Sequence, residues 1–337
     1  MKKELVIGIL GAGRIGKVHT ESITTGIPGV KIKTIADPFM DADTEAWGHA
    51  QGVEIMSKDP RAVFDDPEIQ AVLICSSTDT HAEFTREAAR KGKHIFCEKP
   101  LDLDVERIRE TLKIVDEAGV KFQIGFNRRF DHNFRALRDA VEAGKVGDPH
   151  IIRITSRDPA PPNPAYIQVS GGIFMDMTIH DFDMTRFLSG SEVEEIYVQG
   201  AVLVDPEIGK AGDIDTAIIT MKMANGALAV IDNSRKAAYG YDQRAEVFGS
   251  KGSVASSNDS ASTAVLSNEE GVTAEKPLYF FLERYMGSFT TEMKEFITAI
   301  REDGPTPVGP VDALRPVQIA LAARESLDAG KPVKITY

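Results

Sequence analysis

The sequence predicts a protein with two domains: an α/β domain over residues 1–126 and an α+β domain over residues 127–337. Up to about residue 126, short β-branched runs alternate with helical patterns, which is typical of a doubly wound parallel sheet with helices on both faces. Beyond that point, a few helical patterns are followed by long strand-like runs, which predict a mostly antiparallel sheet backed by helices. A chain of 337 residues is long enough for two such domains to bury a core each.

The first domain is predicted from runs of two kinds. The predicted strands are Leu5–Leu10, Val30–Ala36, Ala71–Cys75, His94–Cys97 and Lys121–Phe126. The predicted helices are Arg14–Thr25, Thr80–Lys91 and Asp104–Ala118. Gly92 and Gly119 closely follow the last two helices, as expected of residues that end a helix.

The second domain carries longer strand-like runs and two closing helices. The predicted strands are Val193–Val204, Thr216–Met223, Ala227–Arg235, Arg244–Phe248 and Ala264–Ser267, and the closing helices are Thr290–Arg301 and Val311–Ala329. Asn225-Gly226 suits a two-residue hairpin turn between two of these strands. The prolines of Asp158–Pro164 remove donors and fix φ, so this segment is expected to be a stiff loop.

Composition excludes several classes of function. With 39 basic and 51 acidic residues the net charge is −12, which opposes binding to nucleic acid or to anionic membranes. The apolar run Leu5–Leu10 is too short for a signal segment or a membrane span, so we expect a cytoplasmic protein. Cys75 and Cys97 lie in apolar runs without metal-type or redox spacing, which predicts buried free thiols.

A glycine-rich motif follows the first strand and opens the first helix. It reads Gly11-Ala-Gly13-Arg14-Ile15-Gly16, and in this context its glycines allow a tight turn and close approach of backbone to a pyrophosphate. Asp37 ends the second strand, where a carboxylate can accept hydrogen bonds from the adenine-ribose hydroxyls. Because a 2′-phosphate would meet this like charge, the motif predicts NAD rather than NADP.

The end of the next predicted strand carries candidate cofactor contacts. Ser76, Ser77, Thr78 and His81 follow the strand that ends at Cys75, at the sheet edge where open α/β sheets bind ligands. Hydroxyls there can touch cofactor phosphates or ribose, or simply cap the following helix, and the sequence leaves both readings open.

Glu98-Lys99-Pro100 stands at the carboxyl end of the next predicted strand. The proline restrains the backbone of Lys99, which favours a functional lysine over a solvated surface charge. We assign Glu98 and Lys99 to the cofactor contacts, and Lys99 to the chemistry as well.

A second cluster is predicted on a helix that begins near Ile173. Helical spacing places Ile173, Asp176, His180, Asp183 and Phe187 on one stripe. Burying two carboxylates and an imidazole in a core without water would cost free energy, and the apolar side chains around them do not suit a solvent-exposed helix face. The wall of a binding pocket is therefore the better interpretation of this stripe. The alternatives are a satisfied core histidine or a metal site, and the single histidine on this helix argues against metal.

At this point the residues resemble a known family. The segments that carry the likeness are 75–81, 98–100, 125–131, 156–162, 170–183 and 239–244. Together they resemble the inositol 2-dehydrogenases within the glucose–fructose oxidoreductase-like superfamily, whose first domain has the Rossmann fold. Glu98-Lys99-Pro100 marks only the superfamily, whereas the block from Ser170 to Asp183 is specific to the inositol branch and its near relatives.

The resemblance implies NAD-dependent oxidation of myo-inositol at C2 to 2-keto-myo-inositol, a step of inositol catabolism. It implies that His180 is the base that takes the O–H proton and that Asp183 holds its other nitrogen. Lys99 would donate to the reacting oxygen, and Asp176 would fix Lys99 and a substrate hydroxyl.

The remaining substrate hydroxyls would be bound by Arg129, Asp158 and Tyr239, beside Asp176 and His180; ordinary surface or loop duty is the alternative for the first three. Other readings also stay open. The substrate could be scyllo-inositol, another inositol isomer or an aldose, and the chain could be an NAD-retaining glycosidase or a non-catalytic sensor of sugar and dinucleotide. The family commonly forms tetramers, so a homotetramer is expected, with no metal.

Overall fold

The computed structural model describes residues 4–337, apart from the side chains of Pro164, Ala165 and Gln168. The α-helices are α1 Arg14–Gly26, α2 Ala42–Ala50, α3 Arg61–Phe64, α4 Thr78–Arg90, α5 Val105–Ala118, α6 His132–Glu142, α7 Pro164–Ser170, α8 Ile179–Ser189, α9 Pro206–Lys210, α10 Phe281–Arg284, α11 Met286–Arg301 and α12 Pro310–Ala329. The strands are β1 Leu5–Leu10, β2 Val30–Ala36, β3 Ile55–Ser57, β4 Ala71–Ile74, β5 His94–Glu98, β6 Phe122–Gly125, β7 Pro149–Arg157, β8 Val193–Ala201, β9 Thr216–Met223, β10 Leu228–Ser234, β11 Asp242–Gly249, β12 Gly252–Ala255, β13 Val265–Asn268, β14 Gly271–Ala274 and β15 Val333–Lys334.

The chain divides into two compact units. The first contains the chain up to Asn127 and the segment Met286–Arg315, and the second contains Arg128–Tyr285 and Pro316–Tyr337. No helix of the described residues combines the length and the apolar character that crossing a membrane requires.

A parallel sheet with the strand order β3-β2-β1-β4-β5-β6 forms the centre of the first unit. This is the doubly wound arrangement that the alternating pattern predicted, and its order reverses between β1 and β4. The predicted strand bounds agree with the structure to within one residue at each end. Only β3 was not predicted, because three residues at a sheet edge are too short to show a pattern.

The core of the first unit includes part of the chain that the sequence placed in the second domain. Met293, Phe296 and Ile297 on α11 are buried in the same apolar cluster as Ile7 and Ile9 of β1. The unit is therefore assembled from two separate stretches of chain, because the apolar face of α11 covers the sheet. Periodicity identified this helix but could not show which sheet it packs on.

The second unit is built on a mixed sheet with the order β12-β11-β7-β10-β9-β8-β15. Every described pair in it is antiparallel except β7 with β10, which confirms the mostly antiparallel prediction. Asn225-Gly226 lies in the hairpin between β9 and β10, but the predicted two-residue turn is wrong. The loop has three residues, 224–226, closed by the bonds Met223 N–H to Ala227 O and Gly226 N–H to Met223 O, and of these three only Gly226 has a positive φ, +88°. The central strand β7 was missed, although its side chains alternate: Ile152, Ile154 and Ser156 are buried, and Arg153 and Arg157 lie on the opposite face.

The predicted helix from Ile173 is not regular. Phe174–Thr178 is π-helical and continues directly into α8, which ends at Gly190 with φ +64°. The wider π-turn shifts the spacing of the side chains before Ile179, so the predicted stripe is not a single α-helical row. Asp158–Asn163 is irregular as expected, and α7 begins at Pro164.

Candidate active site

The glycine turn after β1 is shaped by close backbone contacts. Gly11 has φ +100°, and a Cβ there would lie 2.5 Å from the carbonyl oxygen of Cys75. A Cβ at Gly16 would lie 2.1 Å from the carbonyl oxygen of Gly11. Around Gly13, by contrast, no atom of the described residues lies within 4 Å of that position. The turn thus leaves open backbone at the amino end of α1, which fits the pyrophosphate of a dinucleotide.

Asp37 is held beside this turn by the backbone. Its Oδ2 accepts a hydrogen bond from the Ala12 N–H at 2.7 Å, and its Oδ1 accepts one from the Phe39 N–H at 2.8 Å. A carboxylate fixed in this way keeps lone pairs for ribose hydroxyls, so these residues fit NAD. Of the residues inside the motif, Arg14 is exposed, whereas Ile15 packs against the apolar core.

The hydroxyls after β4 are partly engaged with one another. Ser76 Oγ and Thr80 Oγ1 are 2.6 Å apart, and Thr80 Oγ1 also donates to the carbonyl oxygen of Ser77. Ser77 is the N-cap residue of α4 but makes no side-chain cap, and the helix begins at Thr78 rather than at Thr80. Ser77 is exposed and Thr78 is partly exposed at the predicted sheet edge.

His81 connects two loops at this edge. Its Nδ1 lies 2.8 Å from the carbonyl oxygen of Pro100, and its Nε2 lies 3.0 Å from that of Ser76. The ring is buried, and both nitrogens face backbone. This arrangement suits a residue that positions the turn after Lys99, whereas the sequence had assigned His81 to direct cofactor contact.

Lys99 lies at the carboxyl end of β5 and precedes a cis peptide bond to Pro100. Glu98 turns its side chain to the buried His19 of α1, with 2.6 Å between Oε1 and Nε2. One oxygen of the Glu98 carboxylate is thus bonded to the interior, and Glu98 and Lys99 are both only partly buried.

In the second unit, two of the predicted aspartates meet around an arginine that was not predicted from the sequence. Arg235 donates from Nη1 to Asp176 Oδ2 at 2.9 Å, and the same nitrogen lies 3.6 Å from Asp158 Oδ2. Tyr166 donates its hydroxyl to Asp176 Oδ1 at 3.1 Å. Burial raises the pKa of Asp158 to about 6, against the opposing charge of Arg235. Arg235 could have been suspected because it directly follows the polar end of β10, Asp232-Asn-Ser234.

Asp183 is held by a second arginine. Arg129 donates from Nε to Asp183 Oδ2 at 2.8 Å and from Nη2 to Oδ1 at 2.6 Å, and its guanidinium lies over the ring of Phe187. The Asp183 side chain is 1% exposed. Arg129 was predicted to bind substrate, and this bidentate pair shows that it also fixes a buried carboxylate on α8.

Asp181, which was not singled out from the sequence, anchors the other side of the same helix. Its Oδ1 accepts from Arg128 Nη1 at 2.6 Å, and its Oδ2 accepts from Asn233 Nδ2 at 2.9 Å. Burial raises the pKa of Asp181, and the charge of Arg128 opposes that effect. His180 is partly buried and lies on the same helix, one residue before Asp181 and three before Asp183, which are each fixed by an arginine.

The Tyr239 hydroxyl belongs to a separate hydrogen-bond network. Its hydroxyl donates to Asp242 Oδ2 at 2.5 Å and accepts from Arg157 Nη1 at 3.1 Å, while its side chain remains partly exposed. The structure thus groups Asp158 with Asp176, and Asp183 with Arg129, whereas these two bonds of Tyr239 join it to neither group. Within residues 4–337, no set of three or more potential protein ligands is placed to hold a metal ion.

Known proteins are similar to this chain over its whole length. Residues 5–126 match an oxidoreductase family with an NAD-binding Rossmann fold, and residues 134–255 match the GFO/IDH/MocA C-terminal domain. Myo-inositol 2-dehydrogenase of Thermotoga maritima is 49% identical over 98% of both chains. The uncharacterized oxidoreductase YrbE of Bacillus subtilis is also 49% identical, over 100% of this chain and 98% of its own. A scyllo-inositol dehydrogenase from Lactobacillus casei, solved with NAD(H) and scyllo-inositol, has a TM-score of 0.91 at 31% identity, covering 98% of this chain and 99% of that one.

Proposed function

This chain belongs to the GFO/IDH/MocA family of NAD-dependent oxidoreductases, and we propose that it oxidises myo-inositol at C2 to 2-keto-myo-inositol. The observation that carries the proposal is the setting of His180 on α8. His180 precedes Asp181 by one residue and Asp183 by three on this helix, and each aspartate is bonded to its own arginine, so the helix that carries the imidazole is fixed and bears anionic groups. A base in such a setting can accept a proton and be stabilised as imidazolium.

NAD, when bound, accepts the hydride that leaves the carbinol carbon. The chain's own residues handle the proton and the ligand. His180 takes the O–H proton on an imidazole nitrogen, which leaves the carbonyl oxygen of the ketone. Lys99 donates to that oxygen and favours its negative character as the proton departs. Asp37 and the Gly11–Gly16 turn hold the dinucleotide.

The cluster Asp158, Asp176 and Arg235 supports a ligand with many hydroxyl groups. Carboxylate oxygens accept from hydroxyls, and a guanidinium donates to them, so together they can bind both polarities of a polyol. We assign substrate contacts to this cluster, together with Arg129 and Tyr239. Relatives named for myo-inositol and for scyllo-inositol both exist, so the isomer is the part of the proposal that most needs a direct test.

The test is an assay of the purified protein with NAD and a panel of myo-inositol, scyllo-inositol, other isomers and aldoses, followed by NADH absorbance. We expect the highest kcat/KM with myo-inositol. A preference for scyllo-inositol would correct the isomer, and no NADH with any polyol would exclude the dehydrogenase. An aryl glycoside included in the panel identifies a glycosidase, which would release the aryl group without accumulating NADH.

We also propose a homotetramer that pairs the uncovered face of the second-unit sheet. Ile218, Leu228 and Phe248 project from this sheet and are each about half exposed. Apolar side chains on an open sheet face are typical of a surface that a partner covers. Sedimentation of the wild type as a monomer would reject this assembly.

A further inference from the structure

Glu292 is a buried carboxyl group that the proposed chemistry does not use. It lies on α11, in the first unit, and is 0% exposed. Neither of its carboxyl oxygens has a hydrogen-bond partner among the residues that the structure describes. Its neighbours along the helix, Met293 and Phe296, belong to the apolar core. An ionised carboxylate in such surroundings lacks the donors that stabilise its charge.

Glu292 lies beside the pair that Glu98, the residue before Lys99, forms with His19. Its backbone carbonyl accepts from Gln123 Nε2 on β6 at 3.5 Å, and Phe289, one turn earlier on α11, packs edge-on against the His19 ring with 5.6 Å between the ring centres. Glu98 bonds to His19 on α1, whose ring is fully buried. From the end of β4, Cys75 faces the same two carboxyl groups, since both raise the pKa of its thiol in addition to burial. Burial first, and then the charge of Glu98, raise the pKa of Glu292 well above its usual range. Two carboxylates in adjoining buried positions repel each other, so Glu292, whose oxygens lack donors, keeps its proton.

We propose that Glu292 is a positioning residue held as a neutral acid, which keeps a single negative charge on Glu98 and so preserves the Glu98–His19 bond that anchors the turn carrying Lys99. The bond joins α1 to the end of β5, and the turn lies at the sheet edge where the glycine motif also stands. Ionisation of Glu292 places a second negative charge beside Glu98, weakens the anchor and displaces the Lys99 turn. The inference rests on the proposed function only for the catalytic role of Lys99.

The sign of the pH effect follows from linkage. An acid whose pKa is raised by folding binds more protons in the native state, so its contribution to stability is greatest below its unfolded pKa. That contribution is lost as pH rises towards the folded pKa of Glu292. Glu98, His19 and Cys75 are the other titratable groups in these contacts, and they are unchanged in a Glu292→Gln variant.

The first experiment needs no substrate. Urea unfolding is measured at several values between about pH 6 and about pH 9 for the wild type, Glu292→Gln and the control Glu295→Gln on the same helix. We expect the wild type and the control to lose stability with rising pH, and Glu292→Gln to lose clearly less. Parallel curves for wild type and Glu292→Gln would overturn the neutral acid. Glu292→Ala, which removes the side chain, is expected to be destabilised at every pH, because it leaves a cavity.

The second experiment uses the affinity for NAD to detect a displacement of the turn that carries Lys99. Dissociation constants for NAD are measured from about pH 6 to the highest pH at which the wild type stays folded, with an expected rise of about threefold or more in the wild type where Glu292 ionises and little change in Glu292→Gln. A wild-type affinity that does not depend on pH, or one that weakens equally in Glu292→Gln, would refute the link to the Lys99 turn. Both readouts work even if no polyol is oxidised, so failure of this inference is distinct from failure of the proposed function.

Discussion

The two units build their candidate sites by different means. In the first unit, the cofactor side is made by backbone: a glycine turn, strand ends and N–H groups that hold Asp37. In the second unit, the polar side chains are fixed by arginine–aspartate pairs, and the bonded residues lie 53, 54 and 59 positions apart in the sequence. A backbone site can be recognised in one short motif, whereas a site made of distant pairs becomes visible only in the fold.

The sharpest test of this contrast compares one residue from each unit. Lys99→Met and His180→Ala are each expected to lower kcat by about 10³-fold, because each removes a group that handles the reacting oxygen or its proton. Both variants should still bind NAD, since the glycine turn and Asp37 are untouched, with a small loss of affinity in Lys99→Met because one cofactor contact is removed. Steady-state kinetics and NAD titration measure the two effects separately.

Exposed residues of the same types provide the controls. Lys113→Met and His132→Ala remove side chains that are mostly exposed, and both should keep nearly normal turnover. A variant of Lys99 or His180 with near-normal kcat would remove that residue from the mechanism.

The next largest effect concerns the ion pairs of the second unit. Arg129→Met leaves the carboxylate of Asp183 buried without its bidentate partner, which should cost about 3–5 kcal/mol of unfolding free energy. Chemical denaturation measures this loss. Combining it with Asp183→Asn should cost less than the sum of the two single changes, because the buried charge is then gone.

Arg153→Met is the matched control in the same unit. Arg153 is 62% exposed and lies 3.6 Å from Glu246, so its loss should cost at most about 1 kcal/mol. If Arg129→Met is no more destabilising than this control, the second unit does not depend on its buried pairs and the contrast between the units fails.

The smallest effects separate two glycines of the first unit. Gly16→Ala forces a Cβ against the Gly11 carbonyl, so it should cost about 1–3 kcal/mol of stability and weaken NAD binding. Gly13→Ala meets no described protein atom, so it should leave stability unchanged and weaken NAD binding alone. Thermal unfolding and NAD titration of both variants decide this, and equal stability losses would contradict a turn shaped by Gly16.

Much of the fold was predictable because it depends on local pattern. The β-branched runs of the first sheet and the glycine motif were each recognised from a few neighbouring residues, as was the place of the hairpin at Asn225-Gly226, though not its three-residue loop. The π-turn before Ile179 and the packing of α11 were not, because both depend on contacts that are distant in sequence. The same limit explains why β7 was missed, since its burial comes from pairing with β10 and β11.

The site divides along the same line. Asp37 and the glycines were predicted together with their local structure, because the strand and the helix that flank them in the sequence define their geometry. Arg235 and Asp181 were missed because nothing in their own neighbourhood shows that they meet Asp176 and Arg128. Glu98 was predicted to contact the cofactor because it precedes Lys99. Its bond to His19 could not be predicted, since the two residues are 79 positions apart in the sequence.

The two-part composition of the first unit has a consequence for biosynthesis. The last strand of its sheet ends at Gly125, but α11, which covers one apolar face of that sheet, is translated only about 170 residues later. A fragment that stops at Asn127 would leave the core side chains packed by Met293, Phe296 and Ile297 open to water. The nascent first unit therefore keeps this apolar face uncovered until α11 has been translated, and we expect the nucleotide-binding part to be expressed well on its own only when Met286–Arg315 is joined back onto it.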